Sequence, residues 1–162
     1  MKGKMMVIAV AAVCLLGSVS VHAGSAAGIS VTVSLVESIS ISLDTGTWDI
    51  GAIAAGSTHE SSAFTVTNNG NVTEDISVSA TDGDGGWVIG SAAGADTFKL
   101  AADVEPYSAY DVVVSGDDTE VATGVAAGAA KAFKLQYSAP TSDTKGGGVS
   151  QDFTVTLTAS KH

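Results

Sequence analysis

The sequence predicts an all-β fold: an antiparallel β-sandwich of roughly eight to ten short strands over residues 24–162, preceded by a signal-peptide helix over residues 1–23. Three observations predict it. Apolar residues alternate with Ser and Thr at a period of two in segment after segment. Only 2 prolines interrupt a chain rich in Val, Thr, Ser and its 19 glycines. Turn residues recur at near-regular spacing with no αβ alternation, the pattern of a sandwich rather than a parallel sheet.

The amino terminus is read as an export signal. Met1-Lys2-Gly3-Lys4 is a short basic start, and Met5 to Leu16 is apolar and uncharged. Val21-His22-Ala23 places small residues where signal peptidase needs them, so cleavage is expected between Ala23 and Gly24. An uncleaved anchor is the competing reading, but the apolar run is a dozen residues, whereas a spanning helix needs about 20. Cys14, the one cysteine, lies inside that run behind Ala11-Ala12-Val13, which lacks the small residue a lipidation signal places directly ahead of its cysteine. The expected mature chain is thus a single thiol-free domain.

The clearest alternation is Ile29, Val31, Val33, Leu35, Ile39, Ile41 and Leu43, all at odd positions. Fifteen extended residues would span roughly 50 Å, beyond a usual strand, so two strands meeting near Val36-Glu37-Ser38 are expected. Thr47 to Ile50 follows as a short strand, and Gly51 to Thr58 as a turn-rich connection. Phe64 and Val66 lead into Asn68-Asn69-Gly70-Asn71, beyond which Ile76, Val78 and Ala80 resume the alternation. That spacing predicts a hairpin on a type I′ turn, because Asn and Gly accept the positive φ it needs. Further strands are expected at Trp87–Ile89, Thr97–Leu100, Tyr110–Ser115, Ala132–Tyr137 and Gln151–Ala159. Asp82–Gly86, Val104–Ser108, Asp117–Glu120 and Pro140–Gly148 read as loops. Val121 to Ala132 is Ala-rich, but Gly124 and Gly128 each cost a helix about 1 kcal/mol, so a loop or irregular strand is expected.

Charge excludes one partner class. The chain carries 17 acids against 7 basic residues, for a net charge of −10, and it has no arginine. Phosphate neutralisation needs a basic stripe, so nucleic acid is not expected as a partner. An acidic surface suits solubility, with divalent cations as available counterions.

Catalytic residues are scarce. His59 is the single histidine between His22 and the terminal His162, and no Ser-His-acid or Cys-His set assembles around it from sequence. One histidine without thiols does not make a zinc site. Calcium suits the acidic turn holding Asp82 and Asp84, and less distinctly Asp117 to Glu120; the first fails the EF-hand pattern because Ala93 stands at its twelfth position. The expected cofactor set is therefore none, with calcium at Asp82 and Asp84 kept as an alternative to a solvated turn. Trp48, Trp87, Tyr107, Tyr110 and Tyr137 could offer rings to a glycan, although Trp48 and Trp87, beside turn glycines, fit plugs at the end of a sandwich core. No spacing marks a carboxylate pair for glycoside hydrolysis. Asn71-Val72-Thr73 matches a glycosylation acceptor.

The segment Gly46-Thr47-Trp48-Asp49-Ile50-Gly51, followed by Ser57 to Asp75 with Phe64-Thr65-Val66-Thr67-Asn68-Asn69-Gly70-Asn71, resembles secreted prokaryotic immunoglobulin-like domains of the cell-adhesion-related type. Ala126 to Pro140 and Phe153 to Leu157 resemble the last two strands of such domains. The resemblance covers about half of residues 24–162 and implies an immunoglobulin-like sandwich on a surface protein. A signal peptide followed by one acidic sandwich also resembles camelysin and TasA-type matrix fibre subunits, which implies polymerisation through an amino-terminal strand. The chain departs from that group in lacking its usual motif after the signal.

The function expected is an exported, non-enzymatic structural or surface protein, secreted or periplasmic, whose partners are further copies of itself in a fibre or matrix or other surface proteins, with no membrane insertion after signal cleavage. Ile29, Val31, Val33 and Leu35 form the expected assembly strand. Two destinations are open to it: closing its own sandwich, the default, or adding to a neighbour's open sheet edge. The alternative function is a monomeric secreted module binding glycan or calcium.

Overall fold

A computed structural model describes residues 27–145 and 147–162; the signal peptide and its cleavage point lie outside the described residues. The chain divides between Ser34 and Leu35. In the first unit only residues 27–34 are described, and they form neither helix nor strand. The second unit is all-β. Its strands are β1 (Ile41–Leu43), β2 (Thr58–Glu60), β3 (Phe64–Asn68), β4 (Glu74–Ala80), β5 (Val88–Ile89), β6 (Thr97–Val104), β7 (Val112–Val114), β8 (Thr119–Val125), β9 (Ala130–Ser138) and β10 (Val155–Lys161). No helix occurs among the described residues.

Two sheets share one core. The larger runs β1-β3-β9-β6-β5, with β2 also on β9 and β7 on β6; the smaller is β10-β4-β8. Period-2 sequence becomes period-2 burial: β3 and β4 alternate buried and half-buried residues along their lengths. Val66, Phe98, Leu100, Phe133 and Leu135 from the large sheet meet Ile76, Val78 and Val121 from the small one. Phe64 stacks on Phe133 with ring centroids 5.6 Å apart, and Phe98, Tyr137 and Phe153 form a second aromatic group. Burying such side chains is the main favourable contribution to folding, about 1.5–3 kcal/mol for each large one.

Four expectations from the sequence need correction. The Asn68–Asn71 segment is not a hairpin turn, because β3 and β4 belong to different sheets. None of its residues has positive φ, so a type I′ turn is excluded; the asparagines act through their side chains, described below. Ile29–Leu35 and Thr47–Ile50 are not strands, whereas Thr58–Glu60, not expected as a strand, is one, pairing with Ser138–Gln136 of β9. The Ala-rich stretch begins inside a true strand: β8 pairs with β4 through two register shifts, and Gly124, at φ 63°, supplies a conformation other residues resist. Pairing is also not wholly antiparallel, since Val88 and Ile89 run parallel to Thr97 and Phe98.

The small sheet has an open side. β4 lies in its middle and is buried at Ile76, Val78 and Ala80. β10 pairs with β4 along Val155–Lys161, and no strand covers its other edge among the described residues. Its inward side chains, Val155, Leu157 and Ala159, are therefore only half-buried.

Candidate functional site

The assembly strand expected from sequence is fully displayed to solvent. Ile29, Val31, Val33 and Leu35 are 92%, 83%, 85% and 89% exposed, against a core in which equivalent residues on β4 have no exposure. Val36 is exposed as well. Residues 29–36 carry no charge. Large apolar side chains are thus left in water on a period of two, and no strand pairs with this segment among the described residues.

The domain grips the chain immediately after this strand. Asn71 donates from Nδ2 to Val36 O at 2.8 Å and accepts the Ser38 N–H at Oδ1 at 2.7 Å. The Asn69 and Gly70 N–H groups donate to Ser40 O at 2.7 and 3.1 Å. Glu74 Oε1 accepts the Ser40 N–H at 2.9 Å, and Lys161 forms an ion pair with Glu37. Asn68, fully buried, ties the loop inward: Nδ2 donates to Val72 O at 2.9 Å and Val125 O at 2.8 Å, and Oδ1 accepts the Gly70 N–H at 2.8 Å. A Cβ at Gly70 would overlap Ser38 O and Glu74 Oε1, so glycine is required there for space and not for φ. Glu74 is itself buried, and its Oε2 has no hydrogen-bond partner.

Beside β10 lies a groove of about 860 Å³ between the sheets. Its floor is apolar: Phe64, Phe133, Leu135 and Tyr137 from the large sheet, and Val155 and Leu157 from β10. Residues 45–55 cross it, with Trp48, Ile50 and Ile53 half-buried against the core. That cover makes no ladder. The hydrogen bonds its backbone makes are local, Ser57 N–H to Ala54 O at 3.2 Å and Gly51 N–H to the Asp49 side chain at Oδ1 at 2.9 Å. Asp44 Oδ1 closes the near end by accepting the Thr65 and Thr45 N–H groups, which holds its carboxyl below the usual range. Gly56 N–H to Pro140 O at 2.8 Å closes the far end. Burial in the floor pushes the Tyr137 hydroxyl up to about 12.

The other candidates are placed as follows. Asp82 Oδ1 accepts the Ile89 N–H at 2.8 Å and Asp84 Oδ1 accepts the Asp152 N–H at 2.9 Å; among the described residues no three carboxylates or histidines cluster to hold a metal. Trp48 and Trp87 pack against the core, Trp87 donating from Nε1 to Asp143 Oδ1 at 3.3 Å. Tyr107 is exposed, with Lys134 Nζ 4.6 Å from its ring centre. His59 and Ser57 do meet, Nε2 to Oγ at 3.1 Å. The Ser57 hydroxyl also lies 2.6 Å from Ala54 O, so the imidazole competes with a backbone carbonyl for its proton. At the carboxyl end Asp75 accepts the Gly124 N–H and meets His162, both of which lower its carboxyl.

Sequence reasoning singled out the Ile29–Leu35 segment, which forms no strand here, and missed the groove and the grip of Asn71, Glu74 and Lys161. The Asn-rich loop was the available signal, misread as a hairpin. The fold and site together define a two-sheet β-sandwich preceded by an uncovered apolar segment. Compared with protein-family models, with curated proteins and with solved structures, the chain matches none.

Proposed function

We propose that the protein is an exported, non-enzymatic structural subunit with an immunoglobulin-like sandwich, acting at the cell surface or in the extracellular matrix and assembling by donation of the Ile29–Leu35 strand. The observation that carries this reading is the exposure of all four apolar side chains of an uncharged alternating segment. Burying each is worth about 1.5–3 kcal/mol, so four supply on the order of 6–12 kcal/mol before the cost of association, itself 4–15 kcal/mol. Main-chain hydrogen bonds to an open edge add to that balance. Supporting the non-enzymatic part, the Ser57 hydroxyl that meets His59 also has Ala54 O as an acceptor at 2.6 Å. Calcium or glycan binding has less behind it, because Asp82 and Asp84 each hold a backbone N–H and both tryptophans are packed inward.

The test compares the full chain with its Val31→Asp/Val33→Asp variant by size-exclusion chromatography and negative-stain microscopy. Filaments or large oligomers are expected from the first and monomers with an unchanged melting temperature from the second. A wild-type chain that stays monomeric at high concentration, or a variant that assembles equally well, overturns the reading.

A further inference from the structure

Building on strand donation, we infer where the strand goes: into the groove beside β10 of a second copy, displacing that copy's residues 45–55. The groove lies along the one edge of the small sheet whose inward side chains, Val155, Leu157 and Ala159, are left half-buried. Residues 29–35 match that edge in length, seven residues against the seven of β10. They match it in pattern, offering four apolar side chains to the floor and Ser30, Thr32 and Ser34 to solvent beside Thr156, Thr158 and Ser160. Ser and Thr side by side across strands are a favourable pairing.

Charge selects the same occupant. The groove is rimmed by Asp49, Asp143 and Asp152 in a chain of net charge −10, so an acidic segment is repelled and the uncharged 29–36 run is not. The present cover is poorly fixed. Residues 45–55 carry Trp48, Ile50 and Ile53 against the core yet make no ladder with either sheet, and they line an open groove of about 860 Å³. A strand that pairs with β10 while filling that space replaces local turn bonds with a continuous ladder.

The second copy is favoured over closure within one chain by the grip on residues 36–40. Glu37 is held at Lys161, the carboxyl end of β10. A strand of the same chain laid along β10 and leading into Glu37 would run parallel to it, the weaker pairing. A strand from another copy is free of that tether and can add antiparallel.

Cysteine cross-linking of the full chain tests this, in a Cys14→Ser background that removes the natural thiol. Chains carrying Val31→Cys or Val33→Cys are mixed with chains carrying Val155→Cys or Leu157→Cys, allowed to assemble and oxidised. Disulfide heterodimers are expected in at least one mixture and in excess of those each variant forms alone. In a Trp87→Phe chain, Trp48 emission is expected to shift to the red on assembly as residues 45–55 leave the groove. Assembly without heterodimers in any mixture overturns the β10 site while leaving strand donation standing. Disulfides confined to single chains in Val33→Cys/Leu157→Cys double variants overturn it in favour of self-closure. Unchanged Trp48 emission overturns the displacement. Loss of assembly altogether in the Cys14→Ser parent removes both proposals.

Discussion

Replacing Asn68 tests whether the connection between the two sheets is held by a buried amide rather than by a turn. Asn68→Ala removes two hydrogen bonds donated to Val72 O and Val125 O and one accepted from the Gly70 N–H. Each intramolecular hydrogen bond is worth about 1 kcal/mol net, and a buried backbone group left unpaired costs about 1–3 kcal/mol. Gly70 N–H keeps a second acceptor in Ser40 O, so the carbonyls of Val72 and Val125 carry most of the effect. The expected loss is about 3 kcal/mol. Asn68→Asp is the sharper variant, because it preserves shape and the acceptor for Gly70 but turns a carboxylate oxygen toward two carbonyl oxygens. It is expected to be less stable than Asn68→Ala at neutral pH and to recover partly as acid protonates the new carboxyl. Urea unfolding in the Val31→Asp/Val33→Asp background measures both without interference from assembly, provided the transition is two-state. A loss below about 1 kcal/mol for Asn68→Ala, or an Asn68→Asp chain as stable as its parent, refutes the reasoning.

Gly70→Ala is expected to cost more than about 2 kcal/mol, since overpacking of a close contact typically costs 1–3 kcal/mol and here both Ser38 O and Glu74 Oε1 stand in the way; the same denaturation assay decides it. The Tyr137 hydroxyl ionises near 12 folded and near 10 unfolded, so the native state holds its proton more tightly. Its contribution is complete below pH 10 and is lost as pH rises from about 10 to 12, about 3 kcal/mol over that window; ultraviolet titration of the native protein would disprove this if all three tyrosines ionised together near pH 10. Asp82→Ala is expected to lower stability by about 1 kcal/mol through the lost Ile89 N–H bond, equally with calcium or with a chelator, and a calcium-dependent melting temperature that the substitution abolishes would instead make the turn a metal site.

The β-class of the protein was legible because alternation is a local property. Val66, Ile76, Val78, Phe133 and Leu135 can be placed on an inner face from their neighbours alone, and all are buried. What alternation does not carry is the partner. Asn68-Asn69-Gly70-Asn71 reads as a hairpin because two alternating runs flank it, yet those runs pair with β9 and with β8 and β10, choices made by long-range packing of the two sheets. β2 was missed because Thr58-His59-Glu60 has no apolar alternation; it is a strand only through the β9 edge it meets. β8 hid for the opposite reason, its glycine and alanines resembling a loop until its bulged pairing with β4 supplies the missing order.

The same distinction explains the candidate site. Ile29, Val31, Val33 and Leu35 carry a stronger alternation than several strands that did form, including β2 and β5, so weak intrinsic preference does not account for their lying unpaired. The conflict disappears if the sequence was selected for a partner that one chain does not contain. A sandwich that left β10 half-covered by accident would gain from charged side chains along that strand to keep neighbours away; β10 carries none between Val155 and Ser160, presenting Thr156, Thr158 and Ser160 outward and its one lysine at the far end. An unprotected edge and an unpaired strand of equal length, in one chain, are each a liability alone and complementary together. That complementarity is the reason to look for the missing pairing between copies of this protein.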